Sequence, residues 1–330
     1  DDPGHKGMKV NLPYRSLLPK RVDGLLVTGL GISAHRDAMP ILRMQPDVQN
    51  QGYAAGVAAA MAVKAGVAVR DVDMKALQRH LVEKKIVTAD VLTMRDSFPL
   101  PDAAFAEAVA NIPKDYKGLG VVLVDYGRSV PLLKAAFAKA SGEDRIKYAH
   151  VLAMMGRADG EDLLIEKVKG MDWDKGWNFR GMGQFNRSVS WMDSYVIALG
   201  RAKSKKALPA LLEKAGGLTA TNEFSHFRAV AMALELIGDK SAAPALGALL
   251  AKPEIAGHAI RMGPGLPPVR NYANEEGDKE RTGTLRELAV ARALYRLGDF
   301  EGRGERSLRA YADDPRRAYA NHAKLVLAGK

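Results

Sequence analysis

A run of residues with little or no side chain, between positions 49 and 65, constrains the fold of this chain more than any other feature. Its composition predicts a helix that begins near Gln49–Gly52 and stops at Gly66, because a glycine commonly ends a helix. Residues without bulk allow a ligand or another backbone to approach such a helix closely. The free N–H groups at its N-terminus also predict a site for an anionic or electron-rich group. The small residues of this run are Gly52, Ala54, Ala55, Gly56, Ala58, Ala59, Ala60 and Ala62.

A short apolar run precedes the small-residue helix. Residues 25–27 are Leu-Leu-Val between two glycines, a pattern that suits a strand buried on both faces. Pro40 and Pro46 interrupt the following segment, so no long helix is expected between residues 32 and 50. The sequence therefore predicts a strand, a glycine turn, an irregular segment and a helix, in that order.

Several segments of this region occur in an order that is typical of one enzyme family. They are Asn11-Leu-Pro-Tyr-Arg-Ser-Leu-Leu-Pro-Lys20, Gly24-Leu-Leu-Val-Thr-Gly29, Ser33, His35, Arg43 and Gly52-Tyr-Ala-Ala-Gly56. As an ordered set, they resemble the C-terminal end of the FAD-dependent oxidoreductase family, over the stretch from Val10 to Val87. The chain departs from the family pattern at two points. The usual Gly-Arg after the strand is Gly29-Leu30-Gly31, and the usual Gly-Gln of the helix is Gly52-Tyr53.

The resemblance implies FAD as the cofactor, with this region forming one wall of its site. In the family the dinucleotide fingerprint lies far upstream, so the resemblance implies an N-terminal FAD-binding portion on a missing segment or a separate chain. The implied reaction is hydride transfer from an organic substrate to FAD, with the substrate and the catalytic residues left open. The implied cofactor-binding residues are Gly29, Gly31, Ser33, His35, Arg43, Gly52, Ala54, Ala55 and Gly56.

The turn Gly29-Leu-Gly31-Ile-Ser-Ala34 matches G-x-G-x-x-A, the loose form of the dinucleotide-binding fingerprint. A true fingerprint opens a helix at once and returns to a parallel strand within about 30 residues. Prolines and a long helix follow this turn instead. The turn is therefore not expected to bind the pyrophosphate.

The polar residues of the irregular segment, Ser33, His35, Arg36, Asp37 and Arg43, have two interpretations. Arg43 matches the family's arginine between strand and helix. A positive charge near the flavin N1/O2 edge would stabilise the reduced, anionic cofactor. The alternative is ordinary loop polarity, with a local salt bridge such as Arg36 with Asp37.

The composition divides the chain into three parts. Residues 1–90 carry the family resemblance, residues 91–117 are a proline-punctuated connection, and residues 118–330 are repetitive. In the last part, a helix of small and apolar residues ends in a glycine and precedes a leucine-rich helix, as in HEAT-like repeats. Spaced 44, 38 and 60 residues apart, the turn glycines are Gly156, Gly200, Gly238 and Gly298. The predicted fold is mostly α: a small α/β fragment of an FAD-binding domain followed by a HEAT-like α-solenoid.

Two long insertions interrupt the repeats, at residues 170–187 and 252–283, and loops of this length are often functional. The aromatic residues of the first insertion either form a stacking platform for a sugar or a partner, or form a small core that pins the loop. The second alternative is favoured, because aromatic side chains in loops usually bury their area. These aromatic residues are Trp173, Trp177, Phe179 and Phe185. Pro209 and Pro244 are expected near the starts of second helices, where proline is tolerated.

Composition excludes several classes of function. The net charge of +11 comes from basic residues spread along the chain without a run of five, which argues against a nucleic-acid partner. The chain has no cysteine, so disulfides, thiolate metal sites and cysteine nucleophiles are excluded. The histidines show no metal-ligand spacing. No apolar run is long enough to span a bilayer, and a soluble protein is expected.

Two functions from different classes remain open. The first is the C-terminal part of a flavin-dependent oxidoreductase, in which the helical repeats pack against the catalytic core or a partner subunit. The second is a non-catalytic module whose helical repeats bind a protein partner. The presence or absence of flavin in the assembled protein distinguishes them.

Overall fold

The structure, a computed structural model, describes residues 10–35, 38–95, 98–178, 190–261 and 275–329. Within these ranges the chain is mostly helical and contains no β-strand. The predicted mostly-α fold is therefore confirmed. The same ranges contain no helix that is both long enough and apolar enough to cross a membrane. The chain divides into two compact units, Asp1–Pro99 and Leu100–Lys330.

The strand predicted at residues 25–27 does not form. The Val27 N–H donates to the Leu17 carbonyl over 2.8 Å, but Leu25 is 46% exposed rather than buried on both faces. A strand needs a neighbouring strand whose backbone groups complete the ladder, and the described residues supply none. The small α/β fragment of the prediction is therefore not seen in the described residues of the first unit.

Three helices organise the first unit: α1 (Met39–Leu42), α2 (Gln45–Ala65) and α3 (Met74–Glu83). The long helix α2 ends where the sequence predicted, with Gly66 in the left-handed conformation at φ 67°. Helix α3 starts after Asp73, whose carboxylate accepts from the backbone N–H groups of its first turn.

Helix α2 begins earlier than predicted. Its first turn contains Pro46, which is tolerated there because the first N–H groups of a helix have no intrahelical partner. A proline that seemed to exclude a helix therefore starts one. The buried face of α2 packs against Leu77 and Leu81 of α3 and against the segments that precede it. The buried residues of α2 are Gln51, Ala55, Ala58 and Ala62.

The second unit consists of helices whose alternate members pack side by side. Helix α9 packs on α7 and α11, and α11 packs on α13, whereas α10 packs on α8 and α12. One large core cluster takes side chains from every helix from α7 to α15, and a smaller one joins α4 to α7. The helices are α4 (Asp102–Ala110), α5 (Leu119–Val122), α6 (Tyr126–Lys139), α7 (Gly142–Met154), α8 (Glu161–Gly170), α9 (Trp191–Arg201), α10 (Leu208–Gly217), α11 (Phe224–Ile237), α12 (Ala243–Leu250), α13 (Glu275–Arg296), α14 (Arg303–Ala312) and α15 (Arg317–Leu327).

Three of the four predicted turn glycines have the left-handed conformation that a helix end requires: Gly156, Gly238 and Gly298. Gly200 does not. It lies inside α9, and a Cβ at this position would lie 2.4 Å from the Ala233 Cα of α11. Gly200 is therefore needed for the close approach of two helices, not for a turn.

Two proline positions were predicted correctly. Pro209 lies in the first turn of α10 and Pro244 in the first turn of α12. Both helices begin where a missing backbone N–H carries no penalty. The second helix of each predicted pair is thus read correctly from the sequence.

The contact of Gly200 generates a stability prediction. We expect Gly200→Ala to lower the free energy of unfolding by about 1–3 kcal/mol, because the added methyl group forces α9 away from α11. Urea unfolding followed by circular dichroism measures the change. The matched control is Gly216→Ala, at a helical glycine of α10 with empty space beside it, which we expect to be neutral or slightly stabilising. Equal effects of the two substitutions would contradict this role for Gly200.

Candidate cofactor site

The glycine turn at residues 29–31 is fixed by one buried side chain. The Gly29 N–H donates to Gln51 Oε1 over 3.1 Å, and Gln51 Nε2 donates to the Leu42 carbonyl over 2.9 Å. Gln51 is only 8% exposed, so both bonds lie away from water. One amide therefore ties the turn and the end of α1 to α2.

Apolar contacts bring the same segments together. Ile32, Leu42 and Ala55 share one buried cluster with Leu17. Each of the first three neighbours a predicted site residue in sequence: Ser33, Arg43 and Gly56 respectively. The cluster therefore holds the separated candidate segments on one scaffold.

The turn offers few free donors for a phosphate. The Gly29 N–H is taken by Gln51, and the Ser33 N–H donates to the Ser16 carbonyl over 2.9 Å. At Gly31 a Cβ would lie 2.9 Å from Val27 Cγ1, so this face of the turn is packed against the chain itself. The geometry differs from a phosphate-binding turn, in which successive N–H groups point at the ligand.

The expectation of a helix N-terminus near Gly52 is wrong. Since α2 begins at Gln45, Gly52 lies two turns inside the helix and its N–H belongs to the helical ladder. The first turn of α2 already carries the carboxylate of Asp47. A ligand could approach the α2 backbone closely at Gly52, because glycine has no side chain. The Gly52 N–H is not free to donate a hydrogen bond to that ligand.

An exposed line of small residues runs along α2. Gly52, Gly56 and Ala60 are exposed, and Val63 at the end of the line is 83% exposed. A Cβ built on either glycine would meet no atom within 4 Å beyond the helix itself. We call these four residues the open face of α2. A flat group could approach the helix backbone there.

Two of the predicted alanines do not lie on this face. Ala55 is 7% exposed and belongs to the core cluster with Leu17. Ala54 is half-buried and packs against the apolar cluster between α2 and α3. The family motif therefore mixes exposed and core positions, as expected for a helix with one buried side. Of its small residues, the glycines are the ones that remain accessible.

The polar candidates precede α2 in the chain. Ser33, His35 and Arg43 are exposed. The Arg43 guanidinium makes no ion pair with any residue in the part of the chain that the structure describes. The proposed Arg36–Asp37 salt bridge lies outside the described residues. Arg43 therefore presents a positive charge to whatever lies against this surface.

A groove that sequence reasoning missed lies between α2 and α3. It measures about 480 Å³ and is open to solvent. Tyr53 Oη lies 2.9 Å from His80 Nε2, and their rings are nearly parallel. Tyr53 stands where the family pattern has glutamine, so no motif pointed to this pair. The groove is lined by Tyr53, Val57, Ala60, Met61, Lys64, Ala76 and His80.

The described part of the first insertion, up to residue 178, is packed rather than open. The ring centroids of Trp173 and His226 lie 4.6 Å apart, and those of Trp177 and Phe224 lie 5.3 Å apart. Trp173 also packs against the large core cluster. This agrees with the favoured interpretation of a pinned loop. Phe179 and Phe185 lie outside the described residues.

The comparisons with known proteins bear on the first unit alone. The family model for FAD dependent oxidoreductase matches residues 4–81. This part of the chain is therefore an FAD-dependent oxidoreductase-like region. The match contains all nine candidate residues but less than a quarter of the chain. No curated protein and no solved structure matches the chain.

The residues present fit one side of a flavin and not a complete site. The open face of α2 offers backbone without side chains, and Arg43 offers a positive charge near it in sequence. A ligand on this exposed surface would keep its other side in water, whereas cofactor sites bury most of the ligand. Among the described residues, no group of three or more His, Asp or Glu side chains could hold a metal ion.

The bridge through Gln51 generates a second prediction. We expect Gln51→Met to fill the same volume but to leave the Gly29 N–H and the Leu42 carbonyl without partners, at a cost of about 1–3 kcal/mol. Hydrogen exchange should then accelerate at the Gly29 amide. The control is Gln49→Met on the exposed side of the same helix, which should leave exchange unchanged. Unaltered protection of Gly29 in Gln51→Met would rule out the bridge.

Proposed function

We propose that this chain is the C-terminal portion or a subunit of a flavin (FAD)-dependent oxidoreductase. In this proposal residues 1–90 supply one wall of the FAD site, and the helices of residues 118–330 form a helical-repeat interaction domain. Residues 91–117 connect the two. The family match to residues 4–81 supports the flavin assignment.

The observation that carries the proposal is the uncovered apolar surface of the first unit. Among described residues, 11 of the 18 exposed large hydrophobic side chains lie before residue 99, in less than a third of the chain. Leu30 is 72% exposed, Met44 55% and Val63 83%. A high proportion of exposed apolar side chains in one unit is typical of a surface that another polypeptide or a ligand covers.

Each candidate residue has a distinct task in this proposal. Gly52 and Gly56 let a planar ring system lie close to the α2 backbone, where any side chain would hold it away. Arg43 supplies positive charge for the negative charge that a reduced flavin carries. Ser33 and His35 supply polar contacts at the edge of the same surface. Bound FAD itself would provide the hydride acceptor.

The second unit supports the interaction role. Its helices pack with alternate members side by side, the arrangement that stacked helical repeats produce. Such repeats bind partners along extended surfaces. We assign the partner as the polypeptide that carries the N-terminal FAD-binding portion, or a protein associated with it.

The second candidate function is a non-catalytic interaction module. The observation that favours it is the absence of free donors in the glycine turn, where Gly29 and Ser33 are both occupied. In this alternative the first unit is a docking arm, and its open face receives protein alone.

Flavin absorbance distinguishes the two functions. The purified chain and its complex with a polypeptide that carries a dinucleotide-binding fingerprint are compared between about 350 and 500 nm, where oxidised flavin absorbs. We expect flavin absorbance in the complex and little in the chain alone. A complex that forms without flavin would support the interaction module and overturn the oxidoreductase proposal.

Substitutions on the open face test its role directly. We expect Gly52→Leu and Gly56→Leu to keep the helix content of the chain, because the space beside both glycines is empty. They should weaken flavin retention in the complex roughly tenfold or more, since a leucine at a close contact costs about 1–3 kcal/mol. Asn50→Leu, at another exposed position of α2, is the matched control and should retain flavin. Full flavin retention by both glycine variants would exclude α2 from the site.

A further inference from the structure

Residues 171–178, which leave α8 and lead towards α9, run across the beginning of α11. The Ser225 N–H donates to the Trp177 carbonyl over 3.1 Å, and the Trp177 N–H donates to Ser225 Oγ over 3.0 Å. The Phe224 N–H donates to Asn178 Oδ1 over 2.8 Å. We call residues 171–178 the cover segment. The bonds donated by Phe224 and Ser225 satisfy N–H groups at the start of α11 that have no intrahelical partner, and the third bond satisfies the Trp177 N–H.

A fully buried histidine lies beneath the cover segment. His226 has no exposed side-chain surface, and the Trp173 ring packs against it. A Cβ on Gly176 would lie 2.7 Å from His226 Nε2, so the cover segment can reach this position only with glycine. The segment and the imidazole are thus packed without spare room.

Carboxylates flank both nitrogens of this imidazole. His226 Nδ1 lies 2.7 Å from Asp193 Oδ1, and Nε2 lies 3.3 Å from Glu223 Oε2. The second contact is an ion pair without hydrogen-bond geometry, and Asp193 Oδ2 has no hydrogen-bond partner among the described residues. A neutral imidazole has one N–H, so it would turn a lone pair towards one of two carboxylates. The arrangement therefore fits an imidazolium.

The charged groups around His226 come from four elements. Asp174 lies in the cover segment, Asp193 in α9 and Glu223 beside the start of α11. Arg286 of α13 also interacts electrostatically with Glu223. Burial opposes a charged imidazole, but the hydrogen bond and charge of Asp193, with Glu223 and Asp174, raise the pKa of His226 above its usual value.

A second buried histidine, which has no carboxylate partner, shows how the carboxylates change the pKa of a buried imidazole. His150 of α7 is hydrogen-bonded to Tyr116 Oη over 2.8 Å and to Ser194 Oγ over 2.9 Å, both neutral groups. Burial lowers the pKa of His150 to about 4. The two histidines bond to adjacent residues of α9, Ser194 and Asp193, yet favour opposite charge states.

We propose that protonated His226 holds the cover segment on the start of α11, and that loss of its proton releases the segment. The neutral imidazole has one N–H for two carboxylates, so either Glu223 or Asp193 is left without a donor beneath Trp173 and Gly176. Lifting the segment lets water reach the buried Asp193 carboxylate, which removes the cost of burying an unpaired charge. This proposal is independent of the flavin site.

The direction of the pH dependence follows from the raised pKa. The charged imidazole contributes its full stabilisation of the closed segment below about pH 6.5, the ordinary pKa of histidine. The contribution is lost as pH rises through the raised pKa of His226. Between these two values the open fraction of the segment rises with pH, and it is constant outside them.

Limited trypsin digestion of the full chain tests the proposal, because exposed Lys175 lies in the cover segment. The rate of cleavage after Lys175 is followed by mass spectrometry from about pH 6 to pH 9. A free peptide of residues 171–178 corrects for the pH dependence of trypsin, and cleavage after Lys84 reports on an unrelated site. We expect the corrected rate after Lys175 to rise with pH and then level off. A corrected rate that is constant with pH would overturn the proposal.

Variants separate the histidine from general opening of the chain. Glu223→Gln and Asp193→Asn remove one flanking charge each and should flatten the pH profile of cleavage after Lys175. Glu223 is partly exposed, so its variant carries the test if Asp193→Asn does not fold. His150→Gln is the matched control and should retain the wild-type profile. The wild-type profile in a folded Glu223→Gln protein would show that the carboxylates do not set the opening, and would refute the proposal.

Discussion

The arrangement of the candidate site depends on the buried amide of Gln51, the only buried polar side chain in the described part of the first unit. A buried amide is tolerated only when its donors and acceptors are satisfied, which restricts where its partners can lie. Gly29 can offer its N–H to Gln51 because glycine adopts the left-handed conformation, here at φ 68°, without a side-chain clash. The turn, α1 and α2 are consequently placed by a single residue.

Local signals predicted the parts of the fold that local chemistry decides. The left-handed end of α2 at Gly66, the cap at Asp73 and the prolines that begin α10 and α12 are each settled within a few residues. The strand at residues 25–27 and the role of Gly200 depend on distant partners. A strand exists only beside another strand, and Gly200 is explained only by Ala233 of the next packed helix.

The candidate site was predictable to a similar degree. The order of glycines, alanines and polar residues located its surface, but the periodicity of α2 divides these residues between core and solvent. Ala55 lies in the core whereas Gly52 and Gly56 lie outside. The Gln51 bridge spans 22 residues, and the Tyr53–His80 pair depends on how α2 and α3 pack. No spacing rule in a single sequence reports such contacts.

The helical glycines of the two units differ in what they contact. In the second unit Gly200 lies against Ala233, Gly247 against Phe300 and Gly283 against His258, so each accommodates a neighbour that a side chain would displace. Open helical glycines of that unit lie in the first or last turn of a helix, as Gly142 and Gly216 do. Gly52 and Gly56 are open in the middle of a 21-residue helix, where glycine costs roughly 1 kcal/mol relative to alanine. Neither glycine makes a contact in the described chain that would explain this loss of helix stability. The proposed flavin site explains it, because a flavin held by a second polypeptide would contact α2 at these two glycines.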